Sequence, residues 1–212
     1  MRVGLTTRTG TRPGWRPVGC DPRLLRMSTP RDVVVLVGSL RKDSWNRKVA
    51  DLIAGLAPPH LKLTQVDWGH LSYYNQDLDA DPPKDWVEFR KRIKAADAVL
   101  LVTPEYNRSL PGGFKNAIDI ASRPYGQNVF DGKPGAVVSA SIGNIGGFGA
   151  HHNLRQSLAY LNVATMPQPE VYLSNVASLI DETGKLKQDS TRAHLQKFGQ
   201  AFADWIDRVS PR

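Results

Sequence analysis

The sequence predicts an α/β protein built on a doubly wound, five-stranded parallel sheet with helices on both faces, and three observations carry that reading. First, Val33-Val34-Val35-Leu36-Val37 and Ala98-Val99-Leu100-Leu101-Val102 are apolar at consecutive rather than alternate positions, so each should be a strand covered on both faces. Second, such runs pass directly into short loops of Gly, Ser, Pro and Asn, each followed by a segment of helical periodicity. Third, strand and helix signals alternate along the chain in the βαβα order that produces a parallel sheet.

The elements follow in order. After strand Val33–Val37, Asn46 to Leu56 carries Val49, Leu52, Ile53 and Leu56 on one helical stripe, stopped by Pro58-Pro59. Leu61, Leu63 and Val66 form a shorter strand. A polar, aromatic-bearing loop then runs from Asp67 to Lys84, with Asp85 placed to cap a helix over Trp86–Ala95. Strand Ala98–Val102 leads through Thr103–Gly113 to a helix over Phe114–Ala121, and strand Ala136–Ser139 leads through a Gly-rich turn to a helix over Ala150–Leu161. The last strand, around Ala164 to Leu173, contains Pro167 and Pro169 and therefore belongs at an edge or a bulge. Leu195, Phe198, Phe202, Trp205 and Ile206 mark a terminal helix over Ser190–Val209. No internal repeat and no second domain is visible, so residues 31–212 read as one domain.

Residues 1–30 differ in kind. They hold six arginines against one aspartate, and so account for five of the eight net positive charges. They show no periodicity, lack the apolar core of a secretory signal, and are expected to be a disordered extension. Met27 begins Met-Ser-Thr-Pro just before the first strand, so the preceding residues read as upstream sequence. Beyond them no basic helix or basic-aromatic interleaving marks a nucleic-acid surface. No apolar run reaches the ~20 residues a membrane span requires. The single cysteine, Cys20, excludes an internal disulfide framework and fits a cytoplasmic protein.

Function should sit beyond the carboxyl ends of the strands, where open α/β sheets bind ligands. Three loops fall there. Gly38–Asn46 offers Ser39, Arg41, Ser44 and Asn46 around a helix amino terminus, a donor set suited to a phosphate monoester. Taken alone, the same residues would serve equally well as helix caps. Thr103–Gly113 packs Pro104, Glu105, Tyr106, Asn107, Ser109, Pro111 and two glycines into one stiff loop that could seat a planar ring. Ala140–Gly149 has its glycines in the order G-x-x-G-G-x-G, a poor dinucleotide fingerprint but a usable backbone surface against a flat ring. No nucleophile elbow, metal set or acid–base pair accompanies these loops. His151 and His152 are adjacent and should point in different directions, and His60, His70 and His194 are scattered as surface residues would be. A site for a phosphate and a ring without its own reactive groups implies an organic cofactor that performs the chemistry.

Gly38-Ser39-Leu40-Arg41-x-x-Ser44-x-Asn46, together with Thr103-Pro104-Glu105-Tyr106-Asn107-x-Ser109-x-Pro111-Gly112-Gly113-x-Lys115-Asn116-Ala117-x-Asp119, closely resembles the NAD(P)H-dependent FMN reductase family, in particular its bacterial quinone, chromate and azo-dye reductases. The resemblance spans about Val33 to Ile206. It implies a flavodoxin-like fold, non-covalent FMN, and ping-pong transfer from NADPH or NADH to small-molecule electron acceptors such as quinones or flavins. It also implies a homodimer or homotetramer, while the charge distribution and the lack of a long apolar run argue against nucleic acid and membrane as partners. Carried over by position, Ser39, Arg41, Ser44 and Asn46 would hold the FMN phosphate. Pro104, Glu105, Tyr106 and Asn107 would bracket the isoalloxazine, and Ser141 with Gly143 would close its other side. One departure stands out. Similar family members have Gly-Gly-x-Arg-x-Gln after the third loop, where this chain has Gly146-Gly147-Phe148-Gly149-Ala150-His151. The competing reading is an electron carrier of the flavodoxin type, but such carriers are strongly acidic and this chain beyond its tail is near neutral to basic. A phosphate-ligand module that has lost its flavin is a third reading, which the intact loops do not favour.

Overall fold

In the computed structural model, which describes residues 30–210, the central strands are β1 (Arg31–Val37), β2 (Leu61–Gln65), β3 (Ala98–Thr103) and β4 (Pro134–Ala140). Two shorter strands, β5 (Ala164–Thr165) and β6 (Val171–Leu173), both pair with β4. The order across the sheet is β2-β1-β3-β4-β5, and every named pairing is parallel. The single interrupted strand expected over Ala164–Leu173 is thus two pieces flanking the Pro167-Gln168-Pro169 segment. Proline supplies no ladder N–H, and so pairing stops and resumes.

The helices are α1 (Trp45–Leu56), α2 (Lys84–Ala95), α3 (Gly112–Ser122), α4 (Phe148–Tyr160), α5 (Val176–Leu179) and α6 (Asp189–Val209). Strand side chains alternate between two cores. Val33, Val35 and Val37 of β1, with Leu100 and Val102 of β3, pack among Val49 and Ile53 of α1 and Leu195, Phe198 and Phe202 of α6. Val34 and Leu36, with Val99 and Leu101, pack among Phe89 and Ile93 of α2, Phe114 and Ile118 of α3 and Leu154 and Leu158 of α4. Both faces of β1 and β3 are therefore buried, which is why their sequences show no polar alternation.

Polar ties fix the margins. The Arg31 guanidinium, only 3% exposed, donates through Nε and Nη2 to Asp207 Oδ1 at 3.1 and 2.7 Å and through Nη2 to the Ser210 carbonyl at 2.9 Å. It joins the start of β1 to the end of α6. Arg92 of α2 meets Asp32 with two parallel bonds of 2.8 and 2.9 Å.

The start of α2 differs from expectation. The helix begins at Lys84 behind Pro83, whose side chain makes no capping bond. Asp85 lies inside the first turn, where its Oδ1 accepts from the Trp86 N–H at 3.0 Å. A carboxylate there still favours the helix dipole, but it is not the cap. The single turn α5 was not expected, because four residues cannot display a helical period. Cys20, Met27 and the extension 1–29 lie outside the described residues. Among the described residues no helix is long and apolar enough to cross a membrane, and no cluster of three or more His, Cys, Asp or Glu could hold a metal.

Candidate functional site

Because β1 pairs with β2 on one side and β3 on the other, the chain reverses its direction of winding between β1 and β3. The loops leaving those two strands splay apart there and open a crevice. The first loop begins at Gly38, where an added Cβ would stand 2.8 Å from the Phe114 ring and 3.1 Å from Thr103 Oγ1. Only glycine lets β1 end so close to the start of the second loop. Ser39 is buried behind that turn, whereas Arg41 is exposed. Ser44 is the N-cap of α1, and its Oγ accepts from the Arg47 N–H at 3.3 Å. The remaining N–H groups of the first turn, together with the dipole of a 12-residue helix, favour an anion at this end.

Asn46, 4% exposed, donates through Nδ2 to the Ala140 carbonyl at 3.1 Å and so bridges the first loop to the end of β4. Its Oδ1 is buried without a partner. An orphaned acceptor in that position suits a donor such as a hydroxyl on a bound molecule.

The second loop is a tight hairpin. Tyr106 and Ser109 exchange both backbone bonds, at 2.9 and 3.0 Å, and the residues between them, Asn107 and Arg108, have φ of 51° and 65°. Positive φ at both central positions matches a type I′ turn, which Asn tolerates and Arg adopts at a cost. Two contacts dock this hairpin onto α4. Ser109 Oγ donates to Asn153 Oδ1 at 3.0 Å, and Glu105 Oε2 accepts from the Ala150 N–H at 3.1 Å. The other Glu105 oxygen takes Arg108 Nη1 at 3.3 Å, so this carboxylate, 12% exposed, is committed to structure. Gly149 makes the approach possible, since a Cβ there would meet the Arg108 carbonyl at 2.8 Å and Glu105 Oε2 at 3.0 Å.

The third loop is set by left-handed Gly146 and Gly147, with φ of 65° and 80°, the latter acting as N-cap of α4. Ser139 Oγ holds the Gly146 carbonyl at 2.7 Å, and Ser141 Oγ accepts from the Gly143 N–H at 3.1 Å.

Together the loops enclose a cavity of about 220 Å³. Of the residues singled out from sequence, Ser39, Arg41, Ser44, Asn46, Pro104, Glu105, Tyr106 and Ser141 line it. Asn107 and Gly143 do not. Asn107 lies in the outward turn of the hairpin, and Gly143 is turned into the bonds of its own loop. Trp45, Ala140, Ile142 and Val176 also line the cavity but were not singled out. Trp45 could have been found as the residue next to the Ser44 cap; Val176 had no local signal. The three loops and the start of α4 carry exposed apolar side chains: Leu40, Tyr106, Ile142, Ile145 and Phe148 are each at least 50% accessible, and of these Tyr106 and Ile142 line the cavity.

One unusual group lies behind the site. His151 is fully buried against the Tyr172 ring, with centroids 4.5 Å apart, and neither ring nitrogen has a partner. Burial, reinforced by the nearby charges of Arg155 and His152, lowers its pKa to about 3, so the ring is neutral near pH 7. His152, one residue on, is exposed and meets the Tyr172 hydroxyl at 3.1 Å. The two rings do not diverge as expected: their centroids are 5.7 Å apart and both contact Tyr172, one from the core and one from the surface. His70 is exposed, and His60 and His194 are partly so.

Residues 31–178 match the family model described as NADPH-dependent FMN reductase. The chain is 55% identical over 181 residues to a quinone reductase of Pseudomonas putida, covering 85% of this chain and 97% of that protein. It is 47% identical over 174 residues to a 2-hydroxy-1,4-benzoquinone reductase of a Burkholderia species, covering 82% and 95% respectively. Among solved structures, the flavoenzyme NAD(P)H:(acceptor) oxidoreductase of Paracoccus denitrificans superposes with a TM-score of 0.80 at 44% identity, covering 84% of this chain and 98% of that one.

Proposed function

Since this chain belongs to the NADPH-dependent FMN reductase family, we propose that it is a quinone reductase that holds FMN in the switch-point cavity and uses NADPH or NADH as electron donor. The observation that carries the site assignment is the convergence of both motif loops on one cavity. Ser39, Arg41 and Ser44, from the first, stand beside Pro104, Glu105 and Tyr106, from the second, with Ser141 opposite.

In this reading the flavin supplies the redox chemistry, accepting reducing equivalents from the nicotinamide and passing them to the acceptor. The protein anchors and orients it. Arg41, Ser39, Ser44 and the amino terminus of α1 take the phosphate, where charge-assisted bonds are strongest. Asn46 braces the loop and offers its unpartnered oxygen to a hydroxyl of the ribityl chain. Pro104, Glu105 and Tyr106 form one wall for the ring and Ser141 the other, while Asn107, through the hairpin turn, and Gly143, through its bond to Ser141 Oγ, shape the loops behind those walls. The cavity of about 220 Å³ is below the usual ~300–1,000 Å³ of a ligand pocket, so part of the ring would lie outside it, open to donor and acceptor in turn.

The exposed apolar side chains of these loops, Leu40, Tyr106, Ile142, Ile145 and Phe148, support a homo-oligomer in which a second copy covers them. A nicotinamide donor is a cytoplasmic metabolite, which supports a cytoplasmic reading. The test is spectroscopic. Purified protein should be yellow or take up added FMN, be bleached by NADPH or NADH without oxygen, and recover its colour with a quinone over many turnovers. Protein that refuses FMN would overturn the site assignment, whereas one reduction without turnover would indicate a carrier. Light scattering that finds only monomer would overturn the oligomer.

A further inference from the structure

The roomiest cavity described lies elsewhere. At the amino-terminal edge of the sheet, opposite the loops of the flavin site, α2 and the segment between α3 and β4 enclose a groove of about 690 Å³. Its walls carry Arg90, Lys91, Lys94 and Lys133, against Asp131 as the one carboxylate. That carboxylate is already engaged, since its Oδ1 accepts from Asn162 Nδ2 at 2.9 Å.

Two of the cations are positioned rather than merely solvated. Lys133 Nζ donates to the Lys94 and Ala96 carbonyls at 3.0 and 2.6 Å, which fixes the ammonium at the end of α2 and leaves one of its three N–H donors uncommitted by these bonds. Arg90 reaches Gln127 Oε1 with one long bond of 3.4 Å, and its Nε is buried without any partner. A guanidinium with spare donors beside three ammonium groups is suited to phosphate oxygens, which it meets as a planar fork.

An adjoining hollow of about 360 Å³ shares Gly126 and Asn128 with the groove and is flanked by Tyr125 and Tyr160, 86% and 82% exposed. Isolated surface tyrosines need no explanation. Two at one hollow, next to a cationic groove, provide aromatic faces on which a base could stack. From this juxtaposition we propose that the groove binds a nucleoside polyphosphate, with the phosphates among Arg90, Lys91, Lys94 and Lys133 and the base against Tyr125 and Tyr160. The inference does not rest on the reductase reading.

ATP is the probe, titrated calorimetrically into the full chain saturated with FMN so that the phosphate cradle on the other edge is occupied. One saturable site that weakens as salt rises is expected. Arg90→Gln and Lys94→Gln should each weaken ATP about tenfold, the loss of one charge-assisted bond, while circular dichroism and flavin content stay unchanged. Replacing Tyr125 and Tyr160 by Leu should weaken ATP but leave inorganic tripolyphosphate unchanged. Equal ATP affinity in both charge variants and wild type would overturn the proposal, because binding would then arise elsewhere, for instance in the arginines of residues 1–30. So would an absence of binding at millimolar ATP, or tripolyphosphate binding as tightly as ATP. Tighter binding of a short oligoadenylate than of ATP would replace the nucleotide by single-stranded RNA.

Discussion

Replacing Gly149 by Ala is the sharpest test of how the second loop is held. The new Cβ would stand 2.8 Å from the Arg108 carbonyl oxygen, 3.4 Å from its carbonyl carbon and 3.0 Å from Glu105 Oε2. Two of these atoms are backbone, so no rotamer change relieves them, and the hairpin must move off α4. Overpacking of this kind costs roughly 1–3 kcal/mol. The movement also stretches the 3.1 Å bond between the Ala150 N–H and Glu105, a charged-group bond worth about 1.5–3 kcal/mol. Against these stands the helix preference for Ala over Gly, at most ~1 kcal/mol. We expect a net loss of about 2–4 kcal/mol, or a fall of roughly 4–16 °C in melting temperature for a chain of this size. The FMN dissociation constant should rise with it, because the same loop walls the cavity. Melting of the flavin-free and flavin-loaded forms, together with flavin fluorescence titration, measures both effects. Gly112→Ala is the control: a Cβ there meets nothing within 4 Å, and stability should stay within about 0.5 kcal/mol. A Gly149→Ala protein as stable as wild type with unchanged FMN affinity would refute the docking argument.

Three further outcomes follow from the geometry. Arg41→Ala should weaken FMN by about 1.5–3 kcal/mol, or roughly 10–150-fold, through lost charge-assisted bonds to the phosphate, and an unchanged dissociation constant would sink that assignment. His151→Leu should stabilise the fold by about 1 kcal/mol, since two buried nitrogens without partners are removed. The unfolded chain takes up the His151 proton near pH 6.5 and the folded one only at about 3. Wild-type stability is therefore fully present above that upper value and falls as pH drops between the two, by up to ~1.4 kcal/mol per pH unit. Urea unfolding at pH 7.5 and 5.5 should show a larger drop for wild type than for the variant, and parallel behaviour would contradict it. Arg108→Gly should gain about 1 kcal/mol by relieving a left-handed arginine, less the small worth of an exposed ion pair. A clear loss in denaturant midpoint would show that the Glu105 contact matters more than the turn.

Most of the architecture was legible because two central strands, β1 and β3, are buried on both faces, and consecutive Val and Leu residues have no other economical explanation. The prolines at 167 and 169 announced an edge correctly, though not that pairing would resume at Val171. The start of α2 was misread because Asp85 satisfies the usual cap preference, while Pro83, a poorer cap by side chain, already holds a backbone angle compatible with helix entry. In the site, eight of the ten residues singled out meet at one cavity because each follows directly from the end of a strand or opens a helix. Val176 was invisible because it arrives from a segment with no pattern of its own, and Ile142, though inside the Gly-rich loop, was passed over because an aliphatic side chain offers no polar group to a cofactor. His151 was also unreadable. An adjacent histidine pair gives no sign of which ring is buried, and only the packing of α4 on Tyr172 decides it.

The broken fifth strand has a consequence for how copies of this protein can meet. An unpaired sheet edge is a template for another chain, and a long one invites stacking of sheets end to end. Here one lateral margin offers two paired residues, Ala164 and Thr165, and then three more, Val171 to Leu173, with prolines between. No neighbouring strand could run continuously along such a margin. The opposite margin, β2, is only five residues long and turns the exposed Lys62 to solvent. Association by strand addition is thus blocked at one flank and discouraged at the other. Whatever partner surface the protein uses is left to its helices and loops, the parts whose shape a few substitutions can retune without disturbing the sheet.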